Sequence, residues 1–186
     1  MPVRFSPHTF QSNLLSAIDE FNISKVSLFG WSLGGFLATE FALEHKDKVD
    51  DVILVSVRKK YPDDKLAEIS KLLKKNKKGY LYKFYSQCFS SKDQMRWFRT
   101  NLLKSYCDGF DLDYLLEGLE YLKNSHMSCQ LLAKLKKIKM IHGEQDNIAP
   151  IREAFDIKDN LPNADFVCIK EAGHIPFLET DVGKYI

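Results

Sequence analysis

Hydrophobic residues along the chain follow two spacings, one typical of amphipathic helices and one typical of buried strands. Apolar side chains recur at helical spacing over residues 8–22, and the short run Lys-Val-Ser-Leu-Phe at 25–29 suits a buried strand that ends at Gly30. Residues 33–45 predict a helix, and residues 49–57 predict a second buried strand. A strand, a helix and a strand within about 30 residues predict a parallel βαβ unit.

The central part of the chain departs from this alternation. Between residues 60 and 134 the sequence predicts helices rich in Lys, Tyr, Phe and Leu, without a convincing strand. A strand, a helix and a final strand are then predicted, in that order, at residues 138–141, 150–160 and 166–169. We therefore expect an α/β core formed by residues 1–59 and 135–186, with a helical lid inserted at residues 60–134.

Composition places the chain among globular proteins. Its 186 residues are 45% hydrophobic and 28% charged, which excludes disordered, collagen-like and disulfide-scaffold proteins. The 27 basic and 25 acidic residues leave a net charge of +2, which is too small for a protein that coats nucleic acid. The longest apolar runs fall short of the roughly 18–20 residues that a membrane span needs, and residues 1–6 show no signal-type hydrophobic region. We expect a cytoplasmic protein that binds neither nucleic acid nor a membrane.

Cysteines and histidines lack the spacing of metal ligands. The four cysteines include no Cys-x-x-Cys pair, so we interpret them as reduced structural thiols. The five histidines form neither a His-x-x-x-His nor a His-Glu-x-x-His pattern. We expect neither a metal nor a cofactor.

Residues 30–35, Gly-Trp-Ser-Leu-Gly-Gly, match the pattern Gly-x-Ser-x-Gly between a predicted strand and a predicted helix. In that context the glycines allow a tight turn that holds the serine side chain out, so Ser32 is a candidate nucleophile. The helix directs its free N–H groups toward the same place, and the Leu33 N–H group can stabilise a developing oxyanion. The alternative is a glycine-rich turn without chemistry. A dinucleotide site is not expected, because the segment does not spell Gly-x-Gly-x-x-Gly.

A serine hydroxyl is a weak nucleophile, so this interpretation requires a histidine base and an acid in the chain order Ser, Asp or Glu, His. Asp146 follows the third predicted strand and is the candidate acid; an Asx turn or a helix cap is the alternative interpretation, and Glu144 is the alternative acid. His174 lies in a loop after the last predicted strand and is the candidate base, although a loop histidine alone is more often a surface residue. We assign His142 a structural or supporting role.

Three segments together resemble the α/β-hydrolase superfamily in order and spacing over nearly the whole chain. They are Gly-Trp-Ser-Leu-Gly-Gly at 30–35, His-Gly-Glu-Gln-Asp at 142–146 and Gly-His-Ile-Pro-Phe at 173–177. Within the superfamily, the first segment and residues 111–122 most resemble the pimeloyl-[acyl-carrier protein] methyl ester esterases of biotin synthesis. The resemblance implies a partial α/β-hydrolase fold, in which a parallel sheet is flanked by helices, and a serine carboxylesterase.

The same resemblance implies a substrate and a partner. That family cleaves a methyl ester of a pimeloyl group carried on acyl-carrier protein, with basic residues of a helical lid facing the acidic carrier. Lys83, Arg96 and Arg99 correspond to such basic positions, Phe84 is expected to face the acyl chain, and Trp31 to line the pocket. The alternative is that these cations only face water on an amphipathic surface.

The sequence also departs from the superfamily pattern. About four strands usually precede the serine turn and a loop among them supplies a second oxyanion donor, whereas one helix precedes the strand at 25–29 here. We therefore expect a chain truncated at the N-terminus and slightly at the C-terminus, with an exposed apolar edge and turnover lowered about 10²- to 10³-fold. The alternatives are another α/β hydrolase, such as a general esterase or a lyase of menaquinone synthesis, or an inactive fragment that only binds an acidic partner.

Overall fold

A computed structural model describes residues 6–186, and its centre is one sheet of four parallel strands in the order β1-β2-β3-β4. The strands are β1 (Val26–Trp31), β2 (Val49–Val55), β3 (Ile138–Gly143) and β4 (Asp165–Ile169). Because sequential strands run parallel, each connection crosses back over the sheet, and the carboxyl ends of all four strands share one edge. The predicted parallel α/β architecture is confirmed.

Helices cover the sheet and fill the long connection between β2 and β3. Their bounds are α1 (Phe10–Glu20), α2 (Leu33–Glu44), α3 (Asp63–Cys88), α4 (Lys92–Asn101), α5 (Leu103–Gly109), α6 (Leu112–Asn124), α7 (Cys129–Leu132), α8 (Ile151–Lys158) and α9 (Pro176–Glu179). Short 3₁₀ turns lie at Lys46–Lys48 and Val182–Tyr185. Helix α3 bends at Asn76, whose backbone is non-helical. We call α3–α7 the inserted helices. Their assignment to a separate lid domain stays a prediction.

The main core lies between the sheet and helix α2. Leu54 of β2 is fully buried, as is Phe41 of α2, and the last four residues of β2 form a buried apolar run because both faces of the strand are covered there. The inserted helices form a second apolar cluster around Tyr85 and Phe98, to which Ile175 of the last loop also belongs. This shared cluster joins the inserted helices to the loop that follows β4.

Strand β1 is longer than predicted and lies at the edge of the described sheet, where an exposed apolar edge was expected. It does not end at Gly30 but continues to Trp31, and Gly30 pairs with Leu54 of β2. A Cβ atom at Gly30 would lie 2.6 Å from the Gly34 carbonyl oxygen, so the glycine is needed for the close return of α2. The strand is also only half buried, with Phe29 44% exposed, because β1 is an edge of the described sheet.

Two sequence expectations meet the limits of the described residues. The absence of a signal-type segment was expected from residues 1–6, of which 1–5 lie outside the described residues. Within residues 6–186, no helix combines the length and the apolar character needed to cross a membrane.

Candidate active site

Ser32 occupies the junction between β1 and α2, and its backbone is strained. Its φ of 52° and ψ of −115° are conformations that a residue with a side chain rarely adopts, at a cost of about 1–3 kcal/mol. Two backbone bonds hold the turn: Ser32 N–H donates to the Val55 carbonyl at 2.9 Å, and Gly35 N–H donates to the Ser32 carbonyl at 3.0 Å. This tight turn is the one predicted from the Gly-x-Ser-x-Gly pattern.

His174 and Asp146 complete a chain of hydrogen bonds that begins at Ser32. His174 Nε2 lies 3.0 Å from Ser32 Oγ, and His174 Nδ1 lies 2.8 Å from Asp146 Oδ2. The histidine and the aspartate are buried, whereas Ser32 is partly exposed. A carboxylate only accepts, so in the neutral imidazole Nδ1–H donates to Asp146 and Nε2 accepts the serine proton. The structure thus brings together the three side chains predicted at three strand ends.

Asp146 is held by its own turn. Its Oδ1 atom accepts hydrogen bonds from the N–H groups of Ile148 and Ala149, both at 2.8 Å, which leaves Oδ2 for His174. The Asx-turn interpretation and the acid interpretation therefore describe the same side chain. Glu144, the alternative acid, is exposed, and its carboxylate accepts from the Glu171 N–H group at 3.4 Å.

His142 makes a hydrogen bond to the turn that holds Asp146. Its Nε2–H group donates to the Ala149 carbonyl oxygen at 2.7 Å and lies 3.4 Å from Asp146 Oδ2. Burial lowers the pKa of His142, which favours the neutral ring beside the aspartate. We infer that His142 fixes the loop rather than exchanging protons.

Contacts from three directions fix the backbone of the His174 loop. The Trp31 indole Nε1–H donates to the His174 carbonyl at 2.7 Å, and the His174 N–H donates to the Cys88 carbonyl at 2.7 Å. At Gly143 a Cβ atom would overlap the carbonyl oxygens of Ala172 and Gly173, so only glycine lets the loop approach the end of β3. Trp31, expected to line the pocket, is bonded to this loop and packs on the His174 ring at 5.5 Å between centroids.

Glu179 ties the same loop to the inserted helices, and sequence reasoning missed it. Its Oε1 atom accepts from Ser90 N–H at 2.9 Å, Ser90 Oγ at 2.9 Å and Ser91 N–H at 3.0 Å. Its Oε2 atom accepts from the Gly173 N–H group at 2.5 Å, one residue before His174. A lone glutamate after a Pro-Phe-Leu segment carries no sequence signal of these contacts.

Tyr61 is a second residue that sequence reasoning missed. Its hydroxyl lies 3.2 Å from Ser32 Oγ, and its side chain is buried. Burial raises the pKa of Tyr61 to about 12, so the hydroxyl keeps its proton. Its position in the sequence could have indicated it, because Tyr61 follows β2, the one strand to whose carboxyl end no functional residue had been assigned.

Structure places the other candidates on α2, α3 and α4. Leu33 is the first residue of α2, where a backbone N–H has no partner within the helix. Phe84 is half-buried in the apolar cluster of the inserted helices. Three candidate cations are exposed: Lys83, Arg96 beside Asp93 at 3.3 Å, and Arg99 beside the Tyr82 hydroxyl at 3.3 Å. Among residues 6–186, no three His, Cys, Asp or Glu side chains are grouped to hold a metal ion.

Comparison with known proteins identifies relatives over most of the chain. The family described as alpha/beta hydrolase fold matches residues 5–181. Pimeloyl-[acyl-carrier protein] methyl ester esterases from Nitrosomonas europaea and Legionella pneumophila are 30% and 24% identical over 83% and 91% of this chain. The chain covers 66% and 70% of those two proteins and 63% of the corresponding Vibrio atlanticus esterase. It thus spans about two thirds of the length of the curated relatives that it matches.

Solved structures share the fold at low sequence identity. An esterase from Exiguobacterium antarcticum has a TM-score of 0.80 at 20% identity, with 97% of this chain and 70% of that chain covered. A bromoperoxidase from Bacillus anthracis has a TM-score of 0.81 at 17% identity, with 97% and 72% covered. These likenesses show the fold, and the family match extends over nearly all of the sequence. The chain belongs to the α/β-hydrolase family.

Proposed function

We propose that this chain carries a serine esterase site, in which Ser32 is the nucleophile, His174 the base and Asp146 the residue that orients the base. The observation that carries the proposal is the continuous set of hydrogen bonds from Asp146 through His174 to Ser32, which ends on a strained strand-to-helix turn. Family membership and the printed names of the curated relatives support an ester as substrate.

The reaction divides into two balanced halves. Ser32 Oγ attacks the ester carbonyl carbon while its proton passes to His174 Nε2, and the carbonyl electron pair moves onto oxygen. Collapse of this intermediate breaks the bond to the alcohol oxygen, which takes the proton from His174, and leaves an acyl group on Ser32. Water then attacks the acyl carbon while one of its protons passes to His174 Nε2. Collapse of this second intermediate breaks the bond to Ser32 Oγ, which takes the proton back, and the carboxylic acid is released.

Neighbouring charges and dipoles stabilise the charged intermediates of this reaction. The Asp146 carboxylate at 2.8 Å stabilises the imidazolium that forms when His174 takes the proton. The Leu33 N–H group, at the positive end of the twelve-residue helix α2, is a donor for the oxyanion. We assign these roles to the chain's own groups, without a metal or a cofactor.

Labelling by a fluorophosphonate probe tests the nucleophile, because the probe reports an activated serine whatever the true substrate is. We expect the purified chain to be labelled and the Ser32→Ala variant to be unlabelled. Ser12→Ala, at an exposed serine of α1, is the matched control and should be labelled normally. Labelling that persists in Ser32→Ala would refute the assignment.

We further propose an acyl group on acyl-carrier protein as the substrate, with a methyl ester of pimelate as the first compound to test. Support comes from the printed names of the relatives and from the exposed cations on α3 and α4, which offer positive charge to an acidic carrier. The cytoplasmic location expected from the sequence suits such a substrate and stays a prediction.

Charge reversal tests the carrier. Arg96→Glu is expected to lower kcat/KM several-fold on the carrier-bound ester and to leave hydrolysis of p-nitrophenyl acetate unchanged. Arg152→Glu, an exposed position on α8, is the matched control. If Arg96→Glu leaves the carrier-bound ester and the small ester equally well hydrolysed, a general esterase is the better description.

A further inference from the structure

Tyr61 must donate its hydrogen bond to Ser32 rather than accept one. The serine hydroxyl has one proton, and that proton is directed to His174 Nε2 at 3.0 Å. Ser32 Oγ therefore accepts from its other close neighbour, the Tyr61 hydroxyl at 3.2 Å. Tyr61 is thus an O–H donor aimed at the oxygen that begins the proposed reaction.

We propose that the Tyr61 hydroxyl is a catalytic oxyanion donor of this site, acting together with the Leu33 N–H group; the inference rests on the proposed esterase function. When Ser32 Oγ bonds to the ester carbon, the π electron pair of the carbonyl moves onto its oxygen, which stays attached to that carbon and takes the negative charge. A donor already within reach of Oγ then has a stronger acceptor beside it, and the hydroxyl rotates onto the oxyanion. No proton is transferred: the tyrosine only donates a hydrogen bond.

Position along the fold supports this role. Residues that follow β1, β3 and β4 supply the nucleophile, the acid and the base, and Tyr61 follows β2 at the same edge of the sheet. Oxyanion sites of this architecture combine the N–H group after the serine with an N–H group from a loop that precedes the serine turn. Tyr61 offers a donor of a different kind, a side-chain hydroxyl from the β2–α3 connection.

Neighbouring groups fix the tyrosine before substrate arrives. The Arg58 guanidinium lies 4.9 Å from the centre of the Tyr61 ring, and the Phe36 ring packs on it at 6.3 Å. Arg58 is itself held, because its Nε donates to Glu153 at 2.9 Å and its Nη1 to the Ile148 carbonyl at 3.4 Å. A donor fixed in this way needs little reorganisation when charge develops, which is the condition for a large effect on rate.

Tyr61→Phe is the decisive variant, because it removes the hydroxyl and keeps the ring between Arg58 and Phe36. We expect kcat for p-nitrophenyl acetate to fall about 10²-fold, with KM nearly unchanged, since the bond strengthens only in the transition state. The matched control is Tyr85→Phe, a tyrosine equally buried but packed among the inserted helices, and its kinetics should equal those of the unmodified chain.

A second measurement does not depend on turnover. A trifluoromethyl ketone adds to the serine as a hemiketal oxyanion, so its affinity, followed by ¹⁹F NMR, should fall in Tyr61→Phe by a factor close to the loss in kcat. A purely structural role would weaken the ketone and the substrate alike and raise KM.

The Ser32→Ala and Tyr61→Phe variants together distinguish the esterase proposal from the proposed role of Tyr61. If Ser32→Ala is inactive and Tyr61→Phe keeps full kcat and full ketone affinity, the role of Tyr61 is refuted and the esterase site stands. If Ser32→Ala keeps full activity, the esterase site and the role of Tyr61 both fall.

Discussion

Replacing Glu179 with glutamine should destabilise the protein measurably through one buried N–H group. In the native contact, Oε1 accepts three hydrogen bonds from Ser90 and Ser91, while Oε2 accepts from Gly173. If the glutamine oxygen replaces Oε1, its NH₂ group faces the Gly173 N–H and can only donate. Leaving that buried donor without an acceptor costs about 1–3 kcal/mol, and loss of the charge weakens the other three bonds.

We therefore expect Glu179→Gln to lower the free energy of unfolding by about 2 kcal/mol. For a chain of this size that corresponds to a fall in Tm of about 4–8 °C. Because Gly173 adjoins His174, the loosened loop should also lower kcat. Urea unfolding at pH 7 and a thermal melt measure the first effect, and hydrolysis of p-nitrophenyl acetate measures the second.

Glu144→Gln is the matched control for this change. Its carboxylate is exposed and accepts one long bond, 3.4 Å from the Glu171 N–H group, so its removal should alter stability by less than about 0.5 kcal/mol. A Tm for Glu179→Gln within about 1 °C of the unmodified chain, or equal shifts in both variants, would show that the contact does not hold the loop.

Three further predictions follow from other contacts. Gly30→Ala should lower the free energy of unfolding by about 3 kcal/mol or more, because its Cβ would meet the backbone of α2. Gly34→Ala should raise it by about 0.5–1 kcal/mol, because nothing lies within 4 Å of the added Cβ. Urea titrations that rank the two variants otherwise would contradict this. Burial lowers the pKa of His142 in the folded protein, so as the pH falls the unfolded chain takes up this proton at a higher pH than the folded one. The free energy of unfolding should therefore fall below about pH 6.5, and it should fall less steeply in His142→Gln. Equal pH dependence of stability in the two proteins would refute this. Asp146→Asn should lower kcat about 10⁴-fold while Glu144→Gln keeps it; a loss in Glu144→Gln alone would reverse the choice of acid.

Local pattern sufficed for much of the fold and for the three central side chains. The apolar run of β2 and the Gly-x-Ser-x-Gly turn at Ser32 are short-range features, since each depends on neighbours within a few residues. Once a parallel sheet is assumed, the ends of its strands meet at one edge, so Asp146 and His174 could be placed near Ser32 without knowing any distance. Residues 25–29 were predicted as a buried strand, and their partial exposure at the sheet edge agrees with the exposed apolar edge that was also expected.

Contacts that fix the remaining groups join distant parts of the chain. Arg58, which orients Tyr61, is held by Glu153, 95 positions away, and Glu179 binds Ser90, 89 positions away. Such pairs form only once whole helices have packed together, so the identity of one residue does not predict which distant residue it contacts. Tyr61 and Glu179 could therefore be recognised only in three dimensions.

Bonds to the His174 loop also bear on how independent the inserted helices are. Cys88 is the last residue of α3 and Ser90 lies just after it, both within the predicted lid, yet the Cys88 carbonyl accepts the His174 N–H at 2.7 Å and Ser90 donates to Glu179. His174, the candidate base, is therefore held by residues of the predicted core and by residues of the predicted lid. The position of His174 relative to Ser32 thus depends on residues assigned to the lid as well as on residues of the core.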